Sequence, residues 1–203
     1  MDIHVLTPFS RPANLNALVA MYQDQRITWH LIAVRGVLPS GVLPAWVHAH
    51  CCPEPPPTWD PCYWKLNWFI RTQAVEDGAR YAVFCDDDGF EPGYFHLLRG
   101  AGEVPVLITR MNGGQRQPRG SAHPAGEFLA TAAQMRPGMV GFQFAISGAV
   151  LRTVSFANRR DADGQMAEFL TTFYRTEYLS QAIKRFNWLE PGRWVGAPLP
   201  PRQ

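Results

Sequence analysis

The sequence predicts the α/β fold class: a single Rossmann-like domain in which helices flank a mostly parallel central sheet. Short apolar runs alternate with segments whose apolar residues recur at helical spacing, and this order is typical of βαβ units. The chain has 203 residues, of which 46% are hydrophobic and 18% charged, so one domain can bury a sizeable core. One apolar run ends in three consecutive aspartates, which favours a ligand site at the end of that strand.

The first part of the chain predicts a strand, a loop, a helix and a second strand. Residues 3–6 form a short apolar run, and residues 7–12, which contain two prolines, follow as a loop. Apolar residues at helical spacing predict a helix over residues 13–25, and the apolar residues 27–34 predict the next strand. This order is the beginning of a βαβ unit.

Residues 36–62 interrupt the alternation with seven prolines. Proline disfavours helix interiors and central strands, so we expect a long loop there. The segment also carries five side chains of zinc-binding types, but their spacing matches no standard zinc site, and simple packing of the loop is the favoured interpretation. These side chains are His48, His50, Cys51, Cys52 and Cys62.

The alternation returns after this segment and continues to residue 186. Apolar runs predict strands at residues 81–85, 104–111 and the first part of 140–151, whose last residues are expected to begin a short helix. Helical spacing predicts four further helices, over residues 63–78 (with Gly78 as C-cap), 91–100, 127–135 and 165–186. We therefore expect one domain over residues 1–186 and a Pro-rich C-terminal tail over residues 187–203.

The composition restricts the possible functions. A net charge of +2 and an isoelectric point near 8.4 are too mild for a typical nucleic-acid-binding protein. The N-terminus lacks the features of a signal peptide, and no apolar stretch approaches the roughly 20 residues that span a bilayer. We therefore expect no transmembrane segment. The four cysteines are not spaced as in a disulfide scaffold, so we also expect a reducing, cytoplasmic setting.

Three aspartates, Asp86, Asp87 and Asp88, directly follow the apolar run 81–85. Adjacent carboxylates repel one another, and a hard cation such as Mg²⁺ or Mn²⁺ relieves the repulsion. In an extended segment, residues two apart point the same way, so Asp86 and Asp88 are expected to share one ion while Asp87 points elsewhere. The alternative is an ordinary solvated turn, since Asp-Asp-Gly is common turn chemistry.

Residues 80–98, "RYAVFCDDDGFEPGYFHLL", resemble the metal-binding segment of glycosyltransferases with the A fold, of the family 2-like type that carries an Asp-x-Asp motif. Residues 3–19, "IHVLTPFSRPANLNALV", resemble the opening of the same family, in which the first strand ends in a nucleotide-holding loop. The resemblance implies that residues 1–186 form a nucleotide-sugar-binding catalytic domain.

The resemblance also implies roles for individual residues. The Asp-x-Asp pair would be Asp86 and Asp88, with Asp88 the more direct metal ligand, Asp86 nearer the ribose or sugar, and Asp87 in the variable middle position. The loop after the first strand would line the nucleotide pocket with Thr7, Pro8, Ser10 and Arg11.

Relatives also carry a basic residue and an asparagine in the helix before the metal-binding strand. Lys65 and Asn67 fit by type but lie about one turn too far from the aspartates, whereas Arg71 fits better by spacing. The general base of inverting relatives is a carboxylate before a late helix, and Asp163 is the best match, with Asp161 second. The alternative for both aspartates is an N-cap of the helix predicted over 165–186.

These features together predict a metal-dependent glycosyltransferase. It would use Mn²⁺ or Mg²⁺ to move a sugar from a nucleotide sugar, with a UDP-sugar as the expected donor, to an acceptor hydroxyl, and it would invert the anomeric centre if Asp163 is the base. The acceptor is open and includes nucleic acid. One alternative is a nucleotidyltransferase, although the segment "TPFSRPAN" lacks the glycines usual in its phosphate loop. The other is a non-catalytic binder of nucleotides or glycans on the same scaffold.

Overall fold

A computed structural model describes most of the chain as one sheet flanked by helices. It describes residues 1–38, 41–113, 127–128, 142–159, 162–186 and 189. The strands are β1 (Ile3–Pro8), β2 (Thr28–Val34), β3 (Val47–Cys52), β4 (Arg80–Val83), β5 (Gly89–Phe90), β6 (Val106–Gly113), β7 (Glu127–Phe128), β8 (Phe144–Ser147) and β9 (Thr176–Phe186). The helices are α1 (Leu15–Tyr22), α2 (Pro61–Thr72), α3 (Tyr94–Gly100), α4 (Gly148–Leu151) and α5 (Ala162–Phe173), and a 3₁₀ turn (Pro12–Asn14) precedes α1.

The sheet is mixed, with the strand order β3-β2-β1-β4-β8-β6-β9-β5, and β7 pairs with β6. Neighbouring strands from β3 to β4 are parallel, β8 runs antiparallel to both of its neighbours, and β9 is parallel to β6. The predicted α/β class is therefore confirmed. Because β1 and β4 are parallel neighbours, the loops that follow them emerge at the same edge of the sheet.

Each face of the sheet is covered by its own hydrophobic core. Along β1 the side chains alternate between the faces, so that Leu6 joins one core and Val5 the other. Leu66 and Phe69 of α2 lie in the core with Leu6, whereas Leu18 of α1 lies in the core with Val5. The site loops are thus held between α2 on one face and α1 on the other.

The expectation of a loop over residues 36–62 is wrong for the segment that forms β3. These six residues pair in parallel with β2 at the edge of the sheet. The prolines of the segment flank the strand and do not interrupt it, and an edge position requires pairing on one side only. The segment ends at α2, whose N-cap Asp60 accepts a hydrogen bond from the Cys62 main-chain N–H at 2.8 Å.

The predicted helix over residues 165–186 is also wrong in its second half. Helix α5 ends at Phe173, and β9 occupies the remainder, pairing with β6. The β-branched and aromatic residues around Thr176 and Tyr178 favour a strand, and the free edge of β6 provides the ladder that decides between the two states.

The other elements correspond to their predictions with smaller differences. Helix α2 ends at Thr72 and not at Gly78, and residues 73–79 connect it to β4. Residues 127–128, predicted as the start of a helix, form β7, and residues 129–135 lie outside the described part of the chain. In the described ranges, no helix is long and apolar enough to cross a bilayer.

Candidate functional site

The acidic triplet lies where β4 ends, and its local structure is a turn. The Asp88 main-chain N–H donates to the Cys85 carbonyl at 3.1 Å, and the Cys85 N–H donates to the Asp88 carboxylate at 2.8 Å. All three aspartates are buried. Since the backbone turns here, Asp86 and Asp88 do not point the same way, which differs from the expectation for an extended segment.

Asp86 anchors the loop that follows β1. One carboxylate oxygen accepts the main-chain N–H groups of Ser10, at 2.5 Å, and Arg11, at 2.7 Å. The Asn14 side-chain amide donates to the Asp86 main-chain carbonyl at 2.9 Å. The structure thus brings Ser10, Arg11 and Asp86 together, and it adds Asn14, which sequence reasoning missed.

The Arg11 guanidinium bridges two members of the triplet. One Nη atom forms an ion pair with an Asp86 carboxylate oxygen and lies 3.1 Å from Asp87 Oδ1. Burial raises the pKa of Asp87 to about 7, repulsion from Asp88 acts in the same direction, and the charge of Arg11 opposes both. The two carboxylates that share the Arg11 guanidinium are thus Asp86 and Asp87, and the assignment of a metal ion to Asp86 and Asp88 stays a prediction.

Asp88 faces the interior and pairs with Lys184 of β9. The Lys184 Nζ lies 2.8 Å from an Asp88 carboxylate oxygen, and both side chains are almost completely buried. The ammonium also donates to the carbonyls of Val83, at 3.1 Å, and Phe142, at 3.3 Å, and it lies 4.7 Å from the centre of the Phe84 ring. Sequence reasoning missed Lys184 because it placed this segment on a helix, where a lysine is ordinarily solvated.

Lys65 reaches the same loop from α2. Its Nζ donates to the Phe9 carbonyl at 2.7 Å and to Ser10 Oγ at 2.6 Å, and burial lowers the pKa of Lys65. Lys65 is expected from the sequence to lie about one helical turn too far from the aspartates. It reaches the loop because α2 ends at Thr72 and residues 73–79 form a connection to β4, not a longer helix. Arg71 is exposed in the last turn of α2, which leads to the start of β4 at the opposite end of the sheet from Asp86.

Three further predicted residues have structural contacts. Asn67 bonds both main-chain groups of Phe156, at 2.8 Å each. Thr7 is fully buried and accepts a hydrogen bond from the Trp29 indole at 2.9 Å, and Pro8 is the last residue of β1. Asn67 and Thr7 thus bond to residues outside the triplet, whereas the main-chain N–H groups of Ser10 and Arg11 bond to Asp86.

Asp163 lies in the first turn of α5, within the helix and not at its N-cap. Its Oδ1 accepts from the Gly164 main-chain N–H at 2.9 Å and from the Tyr63 hydroxyl at 3.3 Å. Burial raises the pKa of Asp163 to about 6, against the opposing effects of these hydrogen bonds and of the Lys184 charge. A carboxylate with a pKa near neutrality suits a general base. Asp161 lies outside the described residues.

Within the acidic triplet, the donor atoms of Asp86 and Asp87 fit a hard divalent cation. Asp86 and Asp87 present carboxylate oxygens to a shared cation, the Arg11 guanidinium, which stands in for an ion. Asp88 is occupied by Lys184. Among the residues that the structure describes, no group of three or more His, Cys, Asp or Glu side chains is arranged as a metal site, and this includes the zinc-type side chains of residues 48–62.

Comparisons with known proteins find this chain's fold but no sequence relative. No protein-family model and no curated protein sequence matches the chain. The structure of residues 1–349 of TarS from S. aureus matches with a TM-score of 0.57 and 14% identity, over 94% of this chain and 61% of that one. The inositol-1-phosphate CTP transferase from T. maritima matches with a TM-score of 0.52 and 9% identity, over 91% and 88% of the two chains.

These likenesses concern the fold. They agree with the Rossmann-like α/β domain of the A type that the resemblance implied. This chain spans about 61% of the length of the TarS structure that it matches.

Proposed function

We propose that this protein is a glycosyltransferase that takes a sugar from a nucleotide sugar, with a UDP-sugar as the donor, and passes it to an acceptor hydroxyl. The observation that carries the proposal is the contact between the loop after β1 and the acidic turn after β4, made by Asp86 with the N–H groups of Ser10 and Arg11. In an open α/β sheet this edge is where ligands bind.

The charges around this contact suit a nucleotide diphosphate. Arg11 and Lys65 supply cationic groups on the loop side, and Arg is well matched to phosphate oxygens because its N–H groups form a planar fork. Mn²⁺ or Mg²⁺, held by Asp86 and Asp87, would neutralise the charge of the diphosphate as it leaves. The geometry favours Asp87 over Asp88 as the second ligand, because Asp88 is paired with Lys184.

Asp163 is the proposed general base for the acceptor hydroxyl. The Lys184 ammonium, which pairs with Asp88, lies close enough to Asp163 to lower its pKa. The hydrogen-bond partner of Asp163, Tyr63, is two residues from Lys65 on α2. Both observations put Asp163 at the same end of the domain as the triplet. A direct displacement assisted by this base would invert the anomeric centre. Substitution Asp163→Asn should lower transfer at least ~100-fold while leaving the donor dissociation constant unchanged.

A nucleotidyltransferase is the second candidate, because the CTP transferase matches in fold over 88% of its own length. The loop after β1 has no glycine between Thr7 and Asn14, which counts against the tight phosphate wrap that nucleotidyl transfer uses.

Thermal unfolding against a panel of nucleotides tests the proposal. Ligand at 100 times its dissociation constant stabilises the native state by about 2.7 kcal/mol, which raises the melting temperature by several degrees. We expect the largest rise with UDP or one UDP-sugar in the presence of Mn²⁺. A rise with CTP or another triphosphate alone would favour nucleotidyl transfer, and no rise with any nucleotide would contradict the proposed site.

A further inference from the structure

The Arg11 guanidinium lies between the carboxylates of Asp86 and Asp87. We propose that Arg11 is a resident counter-cation of the donor site and that it competes with the divalent cation for these two carboxylates. The inference rests on the proposed function, because it concerns the same site, but its central test needs no nucleotide.

The geometry of Arg11 is that of a bridging cation. A single Nη atom contacts one carboxylate oxygen from each aspartate, and the Arg11 side chain is only 16% exposed. Asp86 and Asp87 are themselves buried, with side-chain exposures of 3% and 7%. Two positive groups cannot occupy this small, poorly solvated space together, since like charges at short range repel strongly where water is scarce.

Arg11 is the exchangeable member of the two cations on the triplet. Lys184 lies on β9, is almost fully buried and is also bonded to two main-chain carbonyls. Arg11 instead lies on a loop, and that loop is fastened to Asp86 by the main-chain N–H groups of Ser10 and Arg11. The guanidinium can therefore leave the carboxylates while the loop stays attached.

A nucleoside diphosphate would shift this competition. Its phosphate oxygens attract the guanidinium as strongly as carboxylates do, so a bound diphosphate draws Arg11 away from Asp86 and Asp87 and opens them to the cation. Divalent cation and nucleotide should then bind with positive coupling, and each should tighten the binding of the other by the same factor. In the free protein, Arg11 keeps the affinity for the cation low.

The test is titration of the protein with Mn²⁺, followed by electron paramagnetic resonance of the free ion. Arg11→Gln removes the resident cation and should bind Mn²⁺ at least ~10-fold more tightly than the wild type in the absence of nucleotide. Arg11→Lys, which retains the charge, should stay close to the wild type. Arg152→Gln is the matched control, since it removes an arginine that pairs with Asp77 away from the triplet.

The same titration with saturating UDP completes the test. UDP should tighten Mn²⁺ binding to the wild type at least ~10-fold and have a much smaller effect on Arg11→Gln. Equal or weaker nucleotide-free Mn²⁺ binding by Arg11→Gln would overturn the inference, and Arg11→Met serves in its place if the Gln variant does not fold. Failure of every variant to bind UDP would contradict the proposed function alone, because the nucleotide-free comparison of Mn²⁺ affinities would still stand.

Discussion

Three histidines on adjacent strands form a hydrogen-bonded row beneath α2. His4 Nδ1 lies 2.9 Å from His30 Nε2, and His30 Nδ1 lies 2.9 Å from His50 Nε2. Phe69 packs edge-on against the rings of both His30 and His50. A neutral imidazole has one donor and one acceptor nitrogen. Three neutral rings can therefore form both hydrogen bonds of the row, with each bond donated in the same direction.

Burial holds these rings in the neutral form. It lowers the pKa of His30 from 6.5 to about 3, with the charges of His4, His50 and His48 acting in the same direction. The pKa values of His4 and His50 are lowered for the same reason. Glu76 and Asp2 oppose the effect at His4, and a hydrogen bond to the Gln73 side chain opposes it at His50.

The sign of the pH effect follows from these directions. Between pH 6.5 and about 3 the unfolded chain binds a proton at His30 and the folded protein does not, so stability falls as the pH falls through this range. The full lowering corresponds to at most about 5 kcal/mol, and at pH 5 the loss relative to pH 8 is about 2 kcal/mol. Above pH 6.5 the contribution is fully present.

The substitution His30→Phe isolates this term. The variant should lose about 2 kcal/mol less than the wild type between pH 8 and pH 5, whatever its stability at pH 8. The raised pKa values of Asp87 and Asp163 stabilise the folded protein at low pH. This stability is lost as the pH rises from 3.8 to about 7 for Asp87 and to about 6 for Asp163. Both aspartates titrate in the wild type and in the variant, so their effects cancel in the difference.

Urea unfolding in the presence of a chelator, followed by tryptophan fluorescence, gives the four stabilities. His96→Phe is the matched control, because His96 is exposed on α3, and it should reproduce the wild-type pH dependence. If His30→Phe and the wild type lose the same stability between pH 8 and pH 5 within 0.5 kcal/mol, about the error of such additivity comparisons, His30 is not held neutral and the reasoning fails.

Two further predictions concern buried contacts. Lys184→Met should destabilise the protein by roughly 3–5 kcal/mol in urea unfolding, because it leaves the buried Asp88 charge unpaired. Addition of Asp88→Asn should restore part of this stability. A double variant as unstable as the single one would refute the pairing. Gly148→Ala would place a Cβ 1.9 Å from the Glu76 carbonyl oxygen and should cost roughly 2 kcal/mol or more. Gly100→Ala, which meets no atom within 4 Å, is its control, and equal melting temperatures for the two variants would contradict the close approach.

The sequence was sufficient to identify the two strands whose ends form the proposed site. The apolar runs that became β1 and β4 are short and bounded by polar residues, and parallel pairing brings their ends together. The family resemblance groups Ser10 and Arg11 with Asp86, and the structure brings these residues into contact. Periodicity could not place β9, because the segment from Thr176 to Phe186 has an apolar pattern compatible with a helix, and the decision depends on pairing with the distant β6.

Side-chain partners at the site depended on the same non-local information. The sequence shows three equivalent carboxylates, whereas the structure gives each a different environment. Asp86 fastens the loop through main-chain N–H groups, Asp87 shares Arg11 with it, and Asp88 is paired with Lys184. The turn between Cys85 and Asp88 produces this division, and the direction of a turn cannot be obtained from residue types alone.

The three carboxylates of the triplet face two cationic side chains: Lys184 is fixed in the core, and Arg11 lies on a loop. The fixed pair leaves the position of Asp88 independent of any ligand, so the turn is already in place before a donor binds. The loop pair places the adjustable charge where the diphosphate is expected to enter. If Arg11 exchanges as we propose, the fixed position of Asp88 and the exchange at Asp86 and Asp87 are separable properties of the same tripeptide.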